Sequence, residues 1–300
     1  MLQFLLDVLI RTSDLLLVSI GLSTLYSLIR FPNIAHVQYA MLGAFASLGF
    51  ERAGLPLVLA AAASCALVGC LAVLLNVFVF ARLLRSGSAV AMIGSLAVSL
   101  IAVALVLGTA GSRPLQYAQD LTPPLLIGDV AISRAQLDSI LCGALTLLLF
   151  SVLLYRTDIG RSMRALASNR PLALATGIDA QRVTNVITFA SGVLAALGGT
   201  MLGLTESVHV NLGNNLLIPV FSAAILGGLG NPLGAAAGAL LIALAETVML
   251  DTDLGALTGA RIAGLSGHLR QRGVVPDSAR RADVQAVRDL RPGGAACLVS

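Results

Sequence analysis

The chain contains no tryptophan and no lysine, and only 11% of its 300 residues are charged. Soluble globular domains carry roughly 25% charged residues, so this composition excludes an ordinary water-soluble protein. Aromatic residues make up 4% of the chain, which leaves the usual interfacial aromatic belts thin. All 19 basic residues are arginines, and no basic stripe carries interleaved aromatics, so nucleic-acid binding is not expected.

The sequence also lacks the motifs of enzymes and of metal sites. It has three histidines and four cysteines, with no H-E-x-x-H, no G-x-S-x-G and no C-x-x-C. We therefore expect no enzymatic activity, no metal and no cofactor. A G-x-x-x-x-G-K-[ST] phosphate-binding loop is absent as well, so any ATP-driven process must use a separate ATPase chain.

What the sequence does have is long apolar runs: 57% of the residues are hydrophobic. Runs of about 20 apolar residues predict an all-α fold, a polytopic membrane helix bundle with roughly six to eight spanning or re-entrant helices. Residues 1–14 are broken by charges and predict an interfacial helix rather than a span. The predicted apolar segments are 15–31, 37–50, 55–81, 89–110, 140–155, 183–204 and 233–250.

The longest polar interruption in the middle of the chain is residues 156–182, here called the basic loop. It holds five arginines and two aspartates. Asp158 can cap a short helix over 160–169, and Pro171 suits the first turn of a second helix that Gly177 ends. We expect the arginine face to point outward. One interpretation is a cytoplasmic loop that the positive-inside rule makes basic, and the other is a docking platform for a cytosolic partner.

The charges of the loops predict one orientation. If the basic loop is cytoplasmic, the loops at 111–136 and 205–217 lie on the other side, and both are nearly balanced in charge. Counting back places the N-terminus outside. The protein is then a multi-pass protein of the inner membrane.

Two apolar segments, 31–43 and 226–238, are interrupted and occupy comparable places in the two halves. A broken helix frees backbone N–H and C=O groups, which lipid penalises but a substrate pathway can use. The alternative is that each break is a packing point or a loop end. The candidate pathway residues are Asn33, His36, Gly43, Gly228, Gly230 and Asn231.

Glu246 is a separate candidate for the pathway. An ionisable side chain deep in a span is a functional-site hypothesis by default. The alternative is that Glu246 lies close enough to the helix end to reach the interface. No intramembrane arginine is evident in the sequence as its partner.

Three stretches together resemble one family. They are NIAHVQYAMLGAF (33–45), IGRSMRALASNRPLALATGIDAQRV (159–183) and AAILGGLGNPLGAAAGALLIALAE (223–246). Their order and spacing are similar to those of branched-chain amino-acid permeases of ABC importers, in particular the shorter, H-type subunit.

The resemblance implies partners and roles. The basic loop becomes the loop that couples the permease to its ATPase, and the matching residues are Gly160, Arg161, Arg164, Ala165, Asn169 and Gly177. The implied partners are an ATP-binding subunit, a second permease subunit and a periplasmic substrate-binding protein, besides membrane lipid.

The sequence departs from the resemblance at its end. Residues 1–250 read as the permease domain, whereas 251–300 are polar, with seven arginines after position 260. We expect this tail to be disordered, and truncated or frame-shifted relative to the family, whose members continue with another span. That missing span would leave the glycine-lined helix 233–250 open to lipid.

The leading hypothesis from the sequence is a permease subunit that moves branched-chain or related amino acids and is driven by a separate ATPase. The runner-up is an ATPase-independent channel or secondary transporter for a small neutral solute such as urea, built on the same broken helices.

Overall fold

The computed structural model describes residues 2–118, 125–127 and 130–251. The elements in chain order are α1 (Leu2–Ile29), α2 (Ala35–Arg52), α3 (Leu57–Ser86), α4 (Ser88–Ala110), β1 (Leu125–Ile127), β2 (Val130–Ile132), α5 (Arg134–Arg156), α6 (Asp158–Ser168), α7 (Arg170–Ala175), α8 (Ala180–Thr205), α9 (Leu212–Leu226) and α10 (Pro232–Asp251). The short strands β1 and β2 pair antiparallel. Helix α3 contains a π-helical turn, Asn76–Phe80.

The chain divides into two compact units, Met1–Thr247 and Val248–Ser300. The second unit is described over residues 248–251 alone, where α10 ends. The expectation of a disordered or frame-shifted tail therefore concerns residues that lie almost entirely outside the described ones, and it stays a prediction.

Among the residues that the structure describes, five helices are long and apolar enough to cross a membrane: α3, α4, α5, α8 and α10. The most apolar window of α8 is 67% buried, against 22–39% in the other four, so α8 lies inside the bundle. Helix α9 is shorter, at 15 residues, and also apolar. The prediction of an all-α polytopic membrane bundle is confirmed.

Helix α1 differs from the prediction for the N-terminal residues. It runs without a break from Leu2 to Ile29, so the separate interfacial helix predicted for residues 1–14 is wrong. Two of the charges that suggested it have partners on other segments of the bundle: Arg11 Nη1 lies 3.1 Å from Glu206 Oε1, and Ser139 Oγ donates to Asp14 Oδ1 at 2.9 Å. Paired charges can stay within a bundle, whereas unpaired ones favour the interface.

The centre of the bundle is formed by α1, α2 and α8, which approach closely at small residues. A Cβ added to Gly199 of α8 would lie 1.8 Å from the carbonyl oxygen of Ala40 in α2. A Cβ added to Gly43 of α2 would lie 2.4 Å from Cα of Ala196 in α8. Small residues let helix backbones come this close and gain packing energy that lipid cannot supply.

Helices α1 and α8 run antiparallel, since Gly21 of α1 faces Ser191 of α8 while Val18 faces Gly198 further along. Helix α1 ends where Arg30 adopts a positive φ of 53°, and the Arg30 guanidinium donates to the carbonyl oxygen of Ala167 in α6 at 2.9 Å. We call the end of the bundle that carries α6 and α7 the loop end.

Helix α2 does not start at the loop end. Its first turn lies beside the middle of α1, because His36 Nε2 is 3.2 Å from the carbonyl oxygen of Val18. Residues 30–34 therefore lead the chain from the loop end back into the bundle. Residues 30–34 correspond to the first predicted break. After them, α2 continues without interruption through Gly43 to Arg52.

The second half of the chain repeats this arrangement in the opposite direction. Helix α8 ends at Thr205, away from the loop end, and residues 206–211 lead to α9. The first turn of α9 lies against that of α2, since a Cβ on Gly213 would be 3.0 Å from the carbonyl oxygen of Val37. The counterpart of 30–34 is thus 206–211, and the predicted match of 31–43 with 226–238 is wrong.

The predicted break at 226–238 is instead the turn of a helical hairpin between α9 and α10. A Cβ on Gly227 would lie 2.0 Å from the carbonyl oxygen of Gly234, and one on Gly238 would lie 2.0 Å from that of Ala223. The glycine face of α10 is therefore covered by α9, so the expected opening of this face to lipid is wrong. Helix α9 begins at Leu212 and contains Pro219.

The orientation of the bundle is open to a direct test with single cysteines in a variant without native cysteines. We expect Cys in place of Ser168, at the loop end, to be shielded from an impermeant thiol reagent in intact cells, because the positive-inside rule predicts a cytoplasmic basic loop. We expect Cys in place of Ser112, at the opposite end, to be labelled; both serines are exposed. Permeabilised cells, in which both sites should react, are the control. The reverse pattern would invert every span.

Candidate functional site

The basic loop folds into the two short helices that the sequence predicts. Thr157 rather than Asp158 caps α6, because its Oγ1 accepts from Gly160 N at 3.2 Å. Asn169 caps α7 by accepting from Leu172 N at 3.2 Å, and a proline stands in the first turn. Gly177 follows α7 with a φ of +84°, a conformation that favours glycine.

Helix α6 packs tightly on the end of α5. A Cβ on Gly160 would lie 2.2 Å from the carbonyl oxygen of Leu154 and 2.4 Å from that of Leu153, so only glycine fits at this contact. Met163 and Leu166 are buried on the same side of α6, and Ala165 is half-buried. The loop is therefore a folded platform, fixed to the bundle by its apolar side.

Arg164 is exposed, as expected for the arginine face of the loop, but its guanidinium turns back toward the end of α5. Its guanidinium donates to the carbonyl oxygen of Leu154 and lies 5.1 Å from the ring centroid of Tyr155. A cation at the C-terminal end of α5 is favoured because the last carbonyls there have no helical partner. Arg161 does point outward, 65% exposed, and pairs with Asp158.

The exposed face of the platform is apolar as well as basic, which sequence reasoning missed. Leu172 is 61% exposed and Leu174 is 50% exposed, next to the exposed Arg170. Exposed leucines on a segment outside the spans are typical of a surface that another protein covers. The alternation of leucine with alanine after Pro171 was the available signal.

A second group of candidate residues lies in the interior, where the first turns of α2 and α9 meet. Asn33 is 2% exposed, and its Oδ1 accepts from N of Ala35, the first residue of α2, at 3.1 Å. His36 is fully buried, with Nδ1 3.3 Å from Ser191 Oγ. In this conformation both predicted pathway residues are thus held by bonds inside the bundle.

Gln38 and Asn214 join the two helix starts, and sequence reasoning missed both. Gln38 Nε2 donates to Asn214 Oδ1 at 2.8 Å and to Ser99 Oγ at 3.1 Å. Gln38 Oε1 is buried and has no hydrogen-bond partner among the described residues. The first turns of α2 and α9, where helix N-termini carry partial positive charge, lie beside these polar side chains, which we call the polar centre.

The other predicted pathway residues lie elsewhere. Gly228 and Gly230 have φ values of +90° and +93° and form the turn between α9 and α10, where Gly230 N donates to Ser23 Oγ at 3.2 Å. Asn231 Oδ1 caps α10 by accepting from Gly234 N at 3.2 Å. The structure does not bring these turn residues together with Asn33 and His36.

Glu246 has the arginine partner that the sequence did not reveal. Its Oε2 lies 4.0 Å from Arg11 Nε, and Arg11 also pairs with Glu206. These charges lie at the end of the bundle opposite the basic loop. Among the described residues, no three His, Cys, Asp or Glu side chains form a group that would hold a metal ion.

A helical bundle with several spans, a folded basic platform at one end and a polar centre between two half-helices defines a multi-pass membrane transport protein. The profile of one family, "Branched-chain amino acid transport system / permease component", matches residues 4–253. The chain therefore belongs to the branched-chain amino-acid permease family, whose relatives are transport permeases rather than enzymes.

Curated relatives agree with this assignment. The chain is 27% identical to a probable branched-chain amino acid transport permease protein, LivH, of Methanocaldococcus jannaschii, over 80% of this chain and 78% of that protein. It is 25% identical to the high-affinity permease BraD of Pseudomonas aeruginosa, over 78% and 81%. It is 23% identical to the high-affinity permease LivH of Escherichia coli K12, over 77% and 80%.

Proposed function

We propose that this chain is the membrane-spanning permease subunit of an ABC importer that carries branched-chain or related amino acids across the inner membrane. A separate ATPase subunit drives it, and a second permease subunit and a periplasmic substrate-binding protein complete the complex. The observation that carries this proposal is the platform of α6 and α7, which has exposed leucines and arginines at the end of the bundle.

The platform suits a protein partner better than the membrane surface. Leu172 and Leu174 supply the apolar core of an interface, and Arg161 and Arg170 supply a polar rim, which is the usual anatomy of a protein–protein contact. Gly160 packs the platform against the end of α5, and the Arg164 guanidinium donates to the Leu154 carbonyl oxygen there. A force applied by the ATPase would therefore reach the spans.

The polar centre supports an amino-acid substrate. The first turns of α2 and α9 offer partial positive charge to a carboxylate, and the buried Gln38 Oε1 offers an acceptor to an ammonium group. Asn33 and His36 surround this centre, so the pathway proposed for them runs beside the joined half-helices. Glu246, with Arg11, then lies at the far end of the same bundle.

Affinity purification of the tagged chain from the membranes of its own host tests the proposal. We expect an ATP-binding subunit to copurify with the wild type. Replacing Leu172 and Leu174 with aspartate should reduce its recovery at least tenfold, because two charges would be buried unpaired in the interface.

The control for this experiment is the variant with methionine at both positions, which keeps the apolar contact and should retain the ATPase. Both variants should insert into the membrane like the wild type. Purification of the wild type without any ATPase would contradict the proposal and favour the ATPase-independent channel, which the relatives do not support.

A further inference from the structure

An apolar groove of about 330 Å³ lies on the outer surface of the bundle, between α3 and α8. Its lining contains no charged side chain and consists of Cys70, Val73, Leu74, Val77, Phe78 and Phe189. Leu74 is 52% exposed and Phe78 is 60% exposed, so the groove opens to the surroundings of the bundle. Neither the platform nor the polar centre includes these residues.

The sequence builds the groove with one small residue and one irregular turn. Gly69 has no side chain, and a Cβ there would lie 2.8 Å from the Phe189 ring, so the ring sits directly against the backbone of α3. The π-helical turn Asn76–Phe80 follows at the other end of the groove. Such turns are rare overall, and those that occur often lie at functional sites.

The groove ends at a cluster of arginines. Helices α3 and α8 run antiparallel, since Gly69 contacts Phe189 while Asn76 Nδ2 donates to Asn185 Oδ1 at 3.3 Å. Arg82 lies one turn beyond Phe78 on α3, and Arg182 lies two turns before Phe189 on α8. Both arginines therefore lie at the same end of the groove.

These guanidinium groups are free to bind a ligand. Arg82, Arg85 and Arg182 are exposed, and none of the three side chains forms an ion pair or hydrogen bond within the part of the chain that the structure describes. Three unpaired cations at the mouth of an apolar groove complement a ligand with an anionic head and an apolar tail.

The dimensions fit one leaflet of a bilayer. The stretch of α3 from Cys70 to Phe78 rises about 12 Å at 1.5 Å per residue. One leaflet contributes about 15 Å of hydrocarbon, half of a core that is about 30 Å thick. An acyl chain in the groove would place its phosphate one turn beyond Phe78, at the level of Arg82 and Arg182.

We propose that this groove is a specific site for an anionic phospholipid, with an acyl chain along Val73, Leu74 and Val77 and the phosphate between Arg82 and Arg182. The lipid comes from the leaflet that faces the loop end. Bound there, it joins α3 to the start of α8, the helix that follows the basic loop. The proposal does not depend on the transported substrate.

The experiment is a titration of the purified full chain, with the subunits that copurify, by dioleoyl phosphatidylglycerol and by dioleoyl phosphatidylcholine. Bound lipid is counted by native mass spectrometry. We expect phosphatidylglycerol to bind more tightly. Removing one arginine should weaken it about fivefold, and the double change Arg82→Gln and Arg182→Gln roughly 30-fold. Phosphatidylcholine should lose less, because its choline ammonium group offsets the charge of its phosphate.

Two further variants make the result specific. Cys70→Trp fills the groove and should weaken both lipids, because their acyl chains are identical. The matched control, Arg156→Gln with Arg113→Gln, removes two exposed arginines that lie away from the groove and outside the platform, and it should leave both affinities unchanged. Equal losses in the control and in the Arg82/Arg182 variant would show a general charge effect and overturn the proposal.

A protein bound in the groove is the remaining alternative. Cys70 is exposed, so disulfide cross-linking through it can test this alternative. In membranes, with the other cysteines replaced, oxidation should leave the chain monomeric. A dimer linked through Cys70 would show that the groove is an interface between two copies and would contradict lipid occupancy. Unchanged binding of phosphatidylglycerol after Arg82→Gln with Arg182→Gln would contradict it equally.

Discussion

Replacing Gly199 with alanine is expected to prevent the bundle from forming. The added Cβ would lie 1.8 Å from the carbonyl oxygen of Ala40 and 2.4 Å from its carbonyl carbon, in the most buried part of the molecule. Backbone atoms of α2 cannot rotate away as a flexible side chain can. Overpacking usually costs about 1–3 kcal/mol, and we expect at least the upper value here.

The measurement is the yield of monodisperse protein after detergent extraction, followed by thermal unfolding. Gly49→Ala is the matched control, since Gly49 lies on α2 and a Cβ there meets nothing within 4 Å. That variant should match the wild type or exceed it slightly, because alanine favours helix. Normal yield and stability of Gly199→Ala would show that α2 and α8 do not pack as described.

The second large effect is expected from Gly160→Ala, which should uncouple transport without unfolding the spans. Its Cβ would meet the carbonyl oxygens of Leu153 and Leu154, so α6 must lift from the end of α5. We expect ATP-driven uptake to fall at least tenfold, while extraction yield and the unfolding temperature change little, because the platform lies outside the spans.

Ser168→Ala is the control for this variant, because Ser168 is exposed on the same helix. It should transport like the wild type. If Gly160→Ala transported normally, the close contact between α6 and α5 would not transmit the work of the ATPase. Loss of uptake together with loss of the folded spans would instead assign Gly160 a role in stability.

The parts of this fold that a local pattern determines were predictable from the sequence. Apolar runs indicated the spans α3, α4, α5, α8 and α10, although α5 starts well before its predicted limit and α3 ends beyond its own. The cap, proline and glycine signals of the basic loop likewise predicted α6 and α7. These signals act within a turn or two of chain, so they can be read without knowledge of neighbours.

Contacts between distant residues were not predictable in the same way. Arg11 and Glu206 are 195 residues apart in sequence, so the charges of residues 1–14 appeared unpaired and indicated an interfacial helix. Gln38 and Asn214 are 176 residues apart, and neither belongs to a motif. The glycines of α10 predicted close packing, yet nothing local showed that α9 was the partner.

The loop residues illustrate the same limit at short range. The run of arginines predicted one cationic face, but Arg164 turns back because α5 ends beside it with a free carbonyl and an aromatic ring. The leucines that remain exposed on α7 became informative only when the platform was known to pack through α6. A docking surface depends on which side of a helix is already covered.

The central claim is that this permease works only with a separate ATPase that acts through the basic loop. Uptake of radiolabelled leucine into proteoliposomes, by the complex purified from its own membranes with its binding protein, tests this most directly. We predict uptake that requires ATP and is lost when Leu172 and Leu174 are both aspartate. Leucine or urea that equilibrates through the chain alone, without ATP, would contradict the claim.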